Sequence, residues 1–424
     1  MVRAMRRIGS VSAMAAIACL ISAAPAYAAS PAVVIGHTDS HHLFGSTTQT
    51  TVSGPTLAAG TWWVTVTAEL DASQTSATTE GETICQLVNG VSSSILDDSR
   101  WMLDFGNDTG RAVVSVLLTG VTTSSVSWRP DVTCSTKATG VSGIDLTFVR
   151  IDAVGGSLTS SGGPRLKTTA AGATTFAGDT NFHTAGSIDL GAGRWSILAK
   201  AIVRDPSLSV PVNVTCRLHP SASDNDLTTL SLVQGSTSPG NKGELGIQVA
   251  HDFSAATTVN LACRGDSAGG FAVDKVEIVA LKAGKLTRGP LGGSLTTSGS
   301  GTPAVRSGFH TGSVSIPVSG SLTTLVSLAL PAGKWYVSAK ALVHGSNMSI
   351  ECHLVNDEGG GSLDDTFVRG DPGGSTGLYM QNPVDELNAV HEALQCRSDA
   401  AGASLSNIRI TAIQAKSISV VSLP

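Results

Sequence analysis

Trp335, Val337, Ala339, Ala341 and Val343 stand at every second position of one stretch, with Tyr336, Ser338 and Lys340 between them. The same alternation runs through Trp195, Ile197, Ala199, Ala201 and Val203, and through Trp62, Val64, Val66, Ala68 and Leu70. Successive side chains of a strand point to opposite faces, so each stretch predicts a half-buried antiparallel strand. An Ala-Gly pair precedes each one, in LAAGTWWVTVT (57–67), LGAGRWSILAK (190–200) and LPAGKWYVSAK (330–340), and supplies the tight turn that feeds it. One segment has a rival period. In NPVDELNAVHEALQ (382–395), Val384, Leu387, Val390, His391 and Leu394 also fit a helix. Its end is read as a strand, because the other two copies have Thr- and Val-rich segments there.

The repetition extends beyond this phrase. CQLVNG at 85, CRLHPS at 216 and CHLVND at 352 each follow a repeated Trp, and a second Cys ends DVTC, NLAC and ALQC. IDLTFVRIDAV, VDKVEIVALKA and NIRITAIQA close the three copies, and GGSLTSSG (155–162) returns as GGSLTTSG (292–299). Trp62, Trp195 and Trp335 are 133 and 140 residues apart, a domain-sized period in which each copy can bury its own core. The boundaries are placed at 29–160, 161–297 and 298–424, with the Gly/Ser/Thr joints read as flexible connectors.

The first 28 residues read as a secretory signal peptide: Arg3, Arg6 and Arg7, an apolar run, then Ala26-Tyr27-Ala28 at the cleavage site. The leader looks bacterial, and the mature chain is expected to be secreted, either extracellular or associated with the cell envelope. Cys19 leaves with it, so six cysteines remain: Cys85, Cys134, Cys216, Cys263, Cys352 and Cys396. Six allow fifteen pairings. The spacings favour 85–134, 216–263 and 352–396, one disulfide per copy, as suits an oxidising compartment. In the loop-entropy model each contributes about 4 kcal/mol, less any strain. Charged residues are only 14% and the formal charge is −5, which provides no basic footprint for nucleic acid and no cationic membrane-surface stretch. Membrane insertion is not expected either.

Short strands and Gly-rich turns predict an all-β fold of three tandem antiparallel β-sandwich domains, jelly-roll-like. The phrase VSLALPAGKWYVSAK (326–340) resembles the "apolar strand, Pro-Gly, aromatic strand" of tumour-necrosis-factor-like domains, the jelly rolls of complement globular heads. The likeness covers about 20 residues per copy, and this chain departs from that family in its paired cysteines and few aromatics. Such domains work as trimers, so the resemblance implies that three tandem copies fold into one pseudo-trimer. That packing would bury outward positions such as Leu198 and Ile202 beside Lys200. Beads on a string, with those residues covered by loops, stays open at this level.

Candidate chemistry is sparse. Asp97-Asp98 and Asp364-Asp365 begin 12 residues after Cys85 and Cys352, with Asp224 and Asp226 more loosely placed after Cys216. Clustered carboxylates at equivalent loops suit calcium, the one cofactor considered, and equally suit Asx turns. His37, His183 and His310, each followed by Thr, could meet at a metal in a pseudo-trimer, and His37, His41 and His42 with Asp39 could hold one locally. Trp101 and Trp128 occur only in the first copy and form a candidate platform for a sugar ring. Two RGD tripeptides, 264–266 and 369–371, sit at non-equivalent points and read as chance. No G-x-S-x-G elbow or phosphate-binding glycine loop is present. The expected function is therefore non-enzymatic: recognition of a surface, glycan or protein ligand, or a structural role at the envelope. A glycan- or calcium-dependent lectin and a hydrolase with an inter-domain site are the alternatives. The first requires Trp101 or Trp128 exposed beside the acidic loops, the second two carboxylates facing across a cleft in one copy.

Overall fold

Each repeated Ala-Gly turn opens the central strand of its unit, and the same two devices hold it in all three copies. Gly60, Gly193 and Gly333 adopt φ of +147°, +121° and +138°, a region that residues with a Cβ rarely enter. The indole Nε1 of Trp62, Trp195 and Trp335 donates to the carbonyl four residues earlier, that of Ala58, Gly191 and Pro331, at 2.9 Å each time. The Trp thus fills the core and satisfies a turn carbonyl at once. The recurrence of the phrase follows from that double duty.

The computed structural model describes residues 30–423 apart from 73–80, 104–112, 138–140, 142, 157–158, 161–162, 165, 206–211, 222–223, 233–241, 267–269, 346–347, 357–364 and 371–374. The expected signal peptide and Asp364 lie outside the described residues. The first unit contains β1 (Ala32–Thr38), β2 (His42–Phe44), β3 (Thr50–Ser53), β4 (Gly60–Asp71), β5 (Gly81–Asn89), β6 (Ile95–Leu103), β7 (Val113–Ser124), β8 (Pro130–Thr136) and β9 (Ile144–Gly156). A short pair, β10 (Thr159–Ser160) and β11 (Gly163–Pro164), follows. The second unit contains β12 (Leu166–Ala171), β13 (Thr174–Phe176), β14 (His183–Leu190), β15 (Gly193–Arg204), β16 (Val212–Ser221), β17 (Asp224–Leu232), β18 (Lys242–Phe253), β19 (Thr257–Gly265) and β20 (Phe271–Ala283). After β21 (Lys285–Pro290) and β22 (Thr296–Gly299), the third unit contains β23 (Ala304–His310), β24 (Val314–Ser315), β25 (Thr323–Leu330), β26 (Gly333–His344) and β27 (Met348–Asn356). It continues with β28 (Asp365–Gly370), β29 (Ser375–Glu386), β30 (Val390–Ser398) and β31 (Ser404–Gln414), and the chain ends on β32 (Ser417–Ser422). Equivalent strands therefore recur every eleven elements. The segment with a rival helical period is the end of β29, the start of β30 and the turn by which the chain passes from one sheet to the other.

Each unit is a two-sheet sandwich with one topology. The inner sheets run β1-β9-β4-β7, β12-β20-β15-β18 and β23-β31-β26-β29; the outer sheets run β3-β8-β5-β6, β14-β19-β16-β17 and β25-β30-β27-β28. Four strands in each of two antiparallel sheets with crossovers at both ends make a jelly roll. The disulfides join directly opposed residues of neighbouring outer strands: Cys85–Cys134, Cys216–Cys263 and Cys352–Cys396.

The central strands β4, β15 and β26 are buried on both faces rather than half-buried. Their inner faces carry the Trp-led apolar set into the sandwich core. Their outer faces meet the neighbouring units, burying Ile202, Lys200 and Lys340 and partly burying Leu198. One apolar cluster draws Val33, Ile35 and Trp63 from the first unit, Ala250, Val279 and Leu281 from the second, and Tyr336 and Ile413 from the third. The three sandwiches are thus packed as a pseudo-trimer.

Two exchanged strands tie the ring. Leaving the second unit, β21 lies parallel to β23 of the third, and β22 folds back antiparallel onto it. Leaving the third unit, β32 lies parallel to β1 of the first. The 292–299 joint is therefore built into a sheet and is not the loose connector its composition suggested. Backbone hydrogen bonds along β21 outweigh the local preference of Gly, Ser and Thr for loops.

Replacing Gly60 by Ala would set a Cβ 2.8 Å from the Gly156 carbonyl oxygen in a disfavoured φ region. We expect a loss of about 1–3 kcal/mol in urea unfolding. Gly191→Ala, in the equivalent turn with open space around it, is expected to stay within about 0.5 kcal/mol of wild type.

Candidate functional site

Five residues beyond each repeated Trp stand Thr67, Lys200 and Lys340, on the strand faces that point at the neighbouring unit. Lys200 and Lys340 are each only 2% exposed. An ammonium group at such depth requires a counter-charge and hydrogen-bond acceptors. The preceding unit provides them. Asp97 on β6 lies opposite Leu87, and Asp226 on β17 opposite Leu218, two residues beyond the disulfide cysteine in both cases. Each aspartate is anchored by a backbone amide of its own unit, Thr119 N at 2.8 Å and Gln248 N at 2.9 Å.

Lys200 Nζ sits 2.5 Å from Asp97 Oδ2 and donates to the Asp98 carbonyl at 2.7 Å. Lys340 Nζ sits 2.9 and 3.0 Å from the two Asp226 oxygens and donates to the Leu227 carbonyl at 2.7 Å. The two junctions are copies of one design. At the third, between the third unit and the first, Thr67 takes the lysine position. There Arg150 of β9 pairs with Asp152 and reaches Gln381 O at 2.5 Å, and Thr65 meets the Tyr336 hydroxyl at 2.8 Å.

The first junction is the more heavily charged. Glu244 of β18 accepts from Leu117 N at 2.8 Å and from the Ser99 hydroxyl, and lies 3.8 Å from Lys200 Nζ. Burial pushes its carboxyl up to about 7, although Lys200 opposes the shift. Glu277, beside Lys200 on β20, is also pushed to about 7 by burial, with the Asp97 charge adding to it. Burial acts to raise Asp98 as well, but hydrogen bonds from Lys275 and Arg100 outweigh it and hold the carboxyl below its usual range. At the second junction burial lowers the Lys340 ammonium, against the pull of Asp226. Arg409 adds a second cation 3.2 Å from Asp226.

These contacts place the sequence candidates. Asp97 and Asp98 do not present free oxygens to calcium, because Lys200, Lys275 and Arg100 occupy them. Asp364 lies outside the described residues, and Asp365 is described only by its backbone pairing with His353. Among the described residues no group of three or more His, Cys, Asp or Glu is placed to hold a metal. His37 lies on β1, His310 at the end of β23 and His183 at the start of β14, where it bonds Asp179. Gly36 and Gly308 face equivalent Ile residues, so Phe309 rather than His310 takes the position of His37 in the third unit. Trp101 and Trp128 are each 2% exposed and belong to the core, so neither offers a ring to a sugar. In the first RGD the exposed Arg264 and Asp266 are engaged within their own unit: Asp266 accepts from Asn213 N at 2.7 Å and Arg264 lies over the Phe182 ring. Between the units, Trp63, Thr65, Leu198, Gln248, Tyr336 and Ser338 line a cavity of about 20 Å³, room for a single water rather than a ligand.

No protein-family model matches the chain, and no curated protein matches it in sequence. Among solved structures it is similar to the triple jelly roll protein of an archaeal virus turret, at 11% identity and TM-score 0.17, over 90% of this chain and 92% of that one. It is also similar to a protein described as secreted, from Parabacteroides distasonis, at 9% identity and TM-score 0.15, over 59% of this chain and 90% of that one. A third is the infectious bursal disease virus VP2 subviral particle, at 9% identity and TM-score 0.15, over 91% and 81%. Scores this low carry no functional argument.

Two outcomes follow for the junctions. Lys340→Met, which leaves Asp226 buried with less compensation, is expected to cost about 3–5 kcal/mol in denaturant unfolding, and adding Asp226→Asn should restore part of it. For Glu277, the folded carboxyl near 7 lies above the ordinary 4.5. Its contribution to stability is full below about 4.5 and is lost as pH rises towards 7. The urea midpoint of wild type relative to Glu277→Gln should therefore fall over that window. Taking the difference removes the partly buried His251 and His344, whose lowered pKa values act in the opposite direction.

Proposed function

We propose that the chain is an exported, non-enzymatic protein that folds as a single-chain pseudo-trimer and acts through its outer surface, by recognition or as an envelope-associated component. The observation that carries this reading is the use made of the interior charges. Lys200, Lys340, Asp97, Asp226 and Glu244 bind one unit to the next instead of lining an open cleft. Their role is assembly. The contacts run from β6 to the second unit, from β17 to the third and from β28 back to the first, an order that supports the likeness to tumour-necrosis-factor-like trimers. Three disulfides suit an extracellular or envelope location, and among the described residues no helix is long and apolar enough to cross a membrane. Three outer sheets held in fixed relation offer repeated contacts, which raises avidity without any new interaction.

The test adds purified mature chain to isolated bacterial envelopes and to an immobilised glycan panel, with and without calcium, beside ester, glycoside and peptide substrates. Saturable binding without turnover is the expected result. Turnover abolished by substituting one carboxylate would overturn the reading.

A further inference from the structure

We propose that Lys200 and Asp97 condense into an amide bond that covalently joins the first unit to the second, with Glu244 as the proton shuttle. The three side chains have the parts such a reaction needs. The amine and the carboxyl are 2.5 Å apart at a 2% and a 0% exposed position. The Glu244 carboxyl is also fully buried and lies 3.8 Å from the amine. β6 and β15 belong to rigid sheets, so nucleophile and electrophile are held together without the entropy cost of encounter.

The balance closes without any further reagent. Transfer of a proton from the Lys200 ammonium to the Asp97 carboxylate gives the free amine and the acid. The Nζ lone pair attacks Cγ, and the charge that develops on Oδ1 faces the Lys275 ammonium 3.0 Å away. Glu244 takes the proton released by nitrogen and returns one to the departing Oδ2 hydroxyl. The Cγ–Oδ2 bond breaks, the Nζ–Cγ bond remains, and one water leaves. Nothing is oxidised or reduced. Glu244 begins protonated or ionised with comparable ease, because burial sets its carboxyl near neutrality.

The second junction is the internal control. Lys340 and Asp226 are also buried and lie 2.9 Å apart, but Gly377 pairs with Leu342 where Glu244 pairs with Ile202. That junction lacks the shuttle and stays an ion pair.

The deciding experiment is intact mass spectrometry of the reduced, denatured mature chain, with its first residue identified, followed by tryptic mapping. The expected mass is the sequence mass less one water. Trypsin should fail after Lys200, leaving a branched peptide that joins the strands of residues 97 and 200, while cleavage after Lys340 proceeds. Asp97→Asn should lose one ammonia instead, and Lys200→Arg and Glu244→Gln should return to full sequence mass. A wild-type chain at full mass, cut normally after Lys200, overturns the proposal whether or not the variants fold. Retention of the bond in Glu244→Gln overturns the role of Glu244.

Discussion

A lysine ammonium buried among jelly-roll sheets must be met by a carboxylate, and here the carboxylate comes from the unit before it. Lys200 has Asp97 and Lys340 has Asp226, each aspartate already oriented by an amide of its own sandwich. The arrangement sets which edge of one unit faces which sheet of the next. It also explains why the central strands show apolar residues on both faces: the outward face of each inner sheet belongs to the interior of the assembly. Buried ion pairs of this kind select a packing more surely than they add stability.

Joining three copies in one chain permits what identical subunits cannot have, different residues at equivalent places. Leu117, Gly246 and Tyr379 occupy one such position, opposite Thr67, Lys200 and Lys340 in the sheet register. The Tyr379 hydroxyl meets the backbone of Gly246 and fills the space a side chain there would need. Burial raises the Tyr379 phenol well above its ordinary pKa and keeps it neutral in that place. β32 repeats what β21 does: it lies parallel to the first strand of another unit, here β1, and connects the end of the third sandwich to the first.

Much of the fold was legible in the sequence because it is written three times. Period-two alternation from Trp62, Trp195 and Trp335, the Ala-Gly turns and the cysteine spacings identified central strands, their turns and the disulfides. The functional residues were harder to see. Asp97 and Asp98 stood out as acidic neighbours, but their partner Lys200 is about 100 residues away, and no local pattern reveals that pairing. The signal that did exist was a lysine at the same offset from Trp in two copies, on a face that also carries Leu198 and Ile202 in one and Tyr336 and Leu342 in the other. Trp101 and Trp128 misled for a different reason: their absence from the other copies suggested a surface role, whereas both are buried, Trp101 close to Gly243 of the second unit. The joint at 292–299 misled through composition, since strand pairing across units does not depend on local propensity.

The central claim, a closed ring rather than three separate modules, is tested most directly by small-angle X-ray scattering on the mature chain at low concentration. A ring of this length should scatter as one compact body with a radius of gyration of about 21 Å. A radius about half as large again, with the profile of a flexible string, would contradict it.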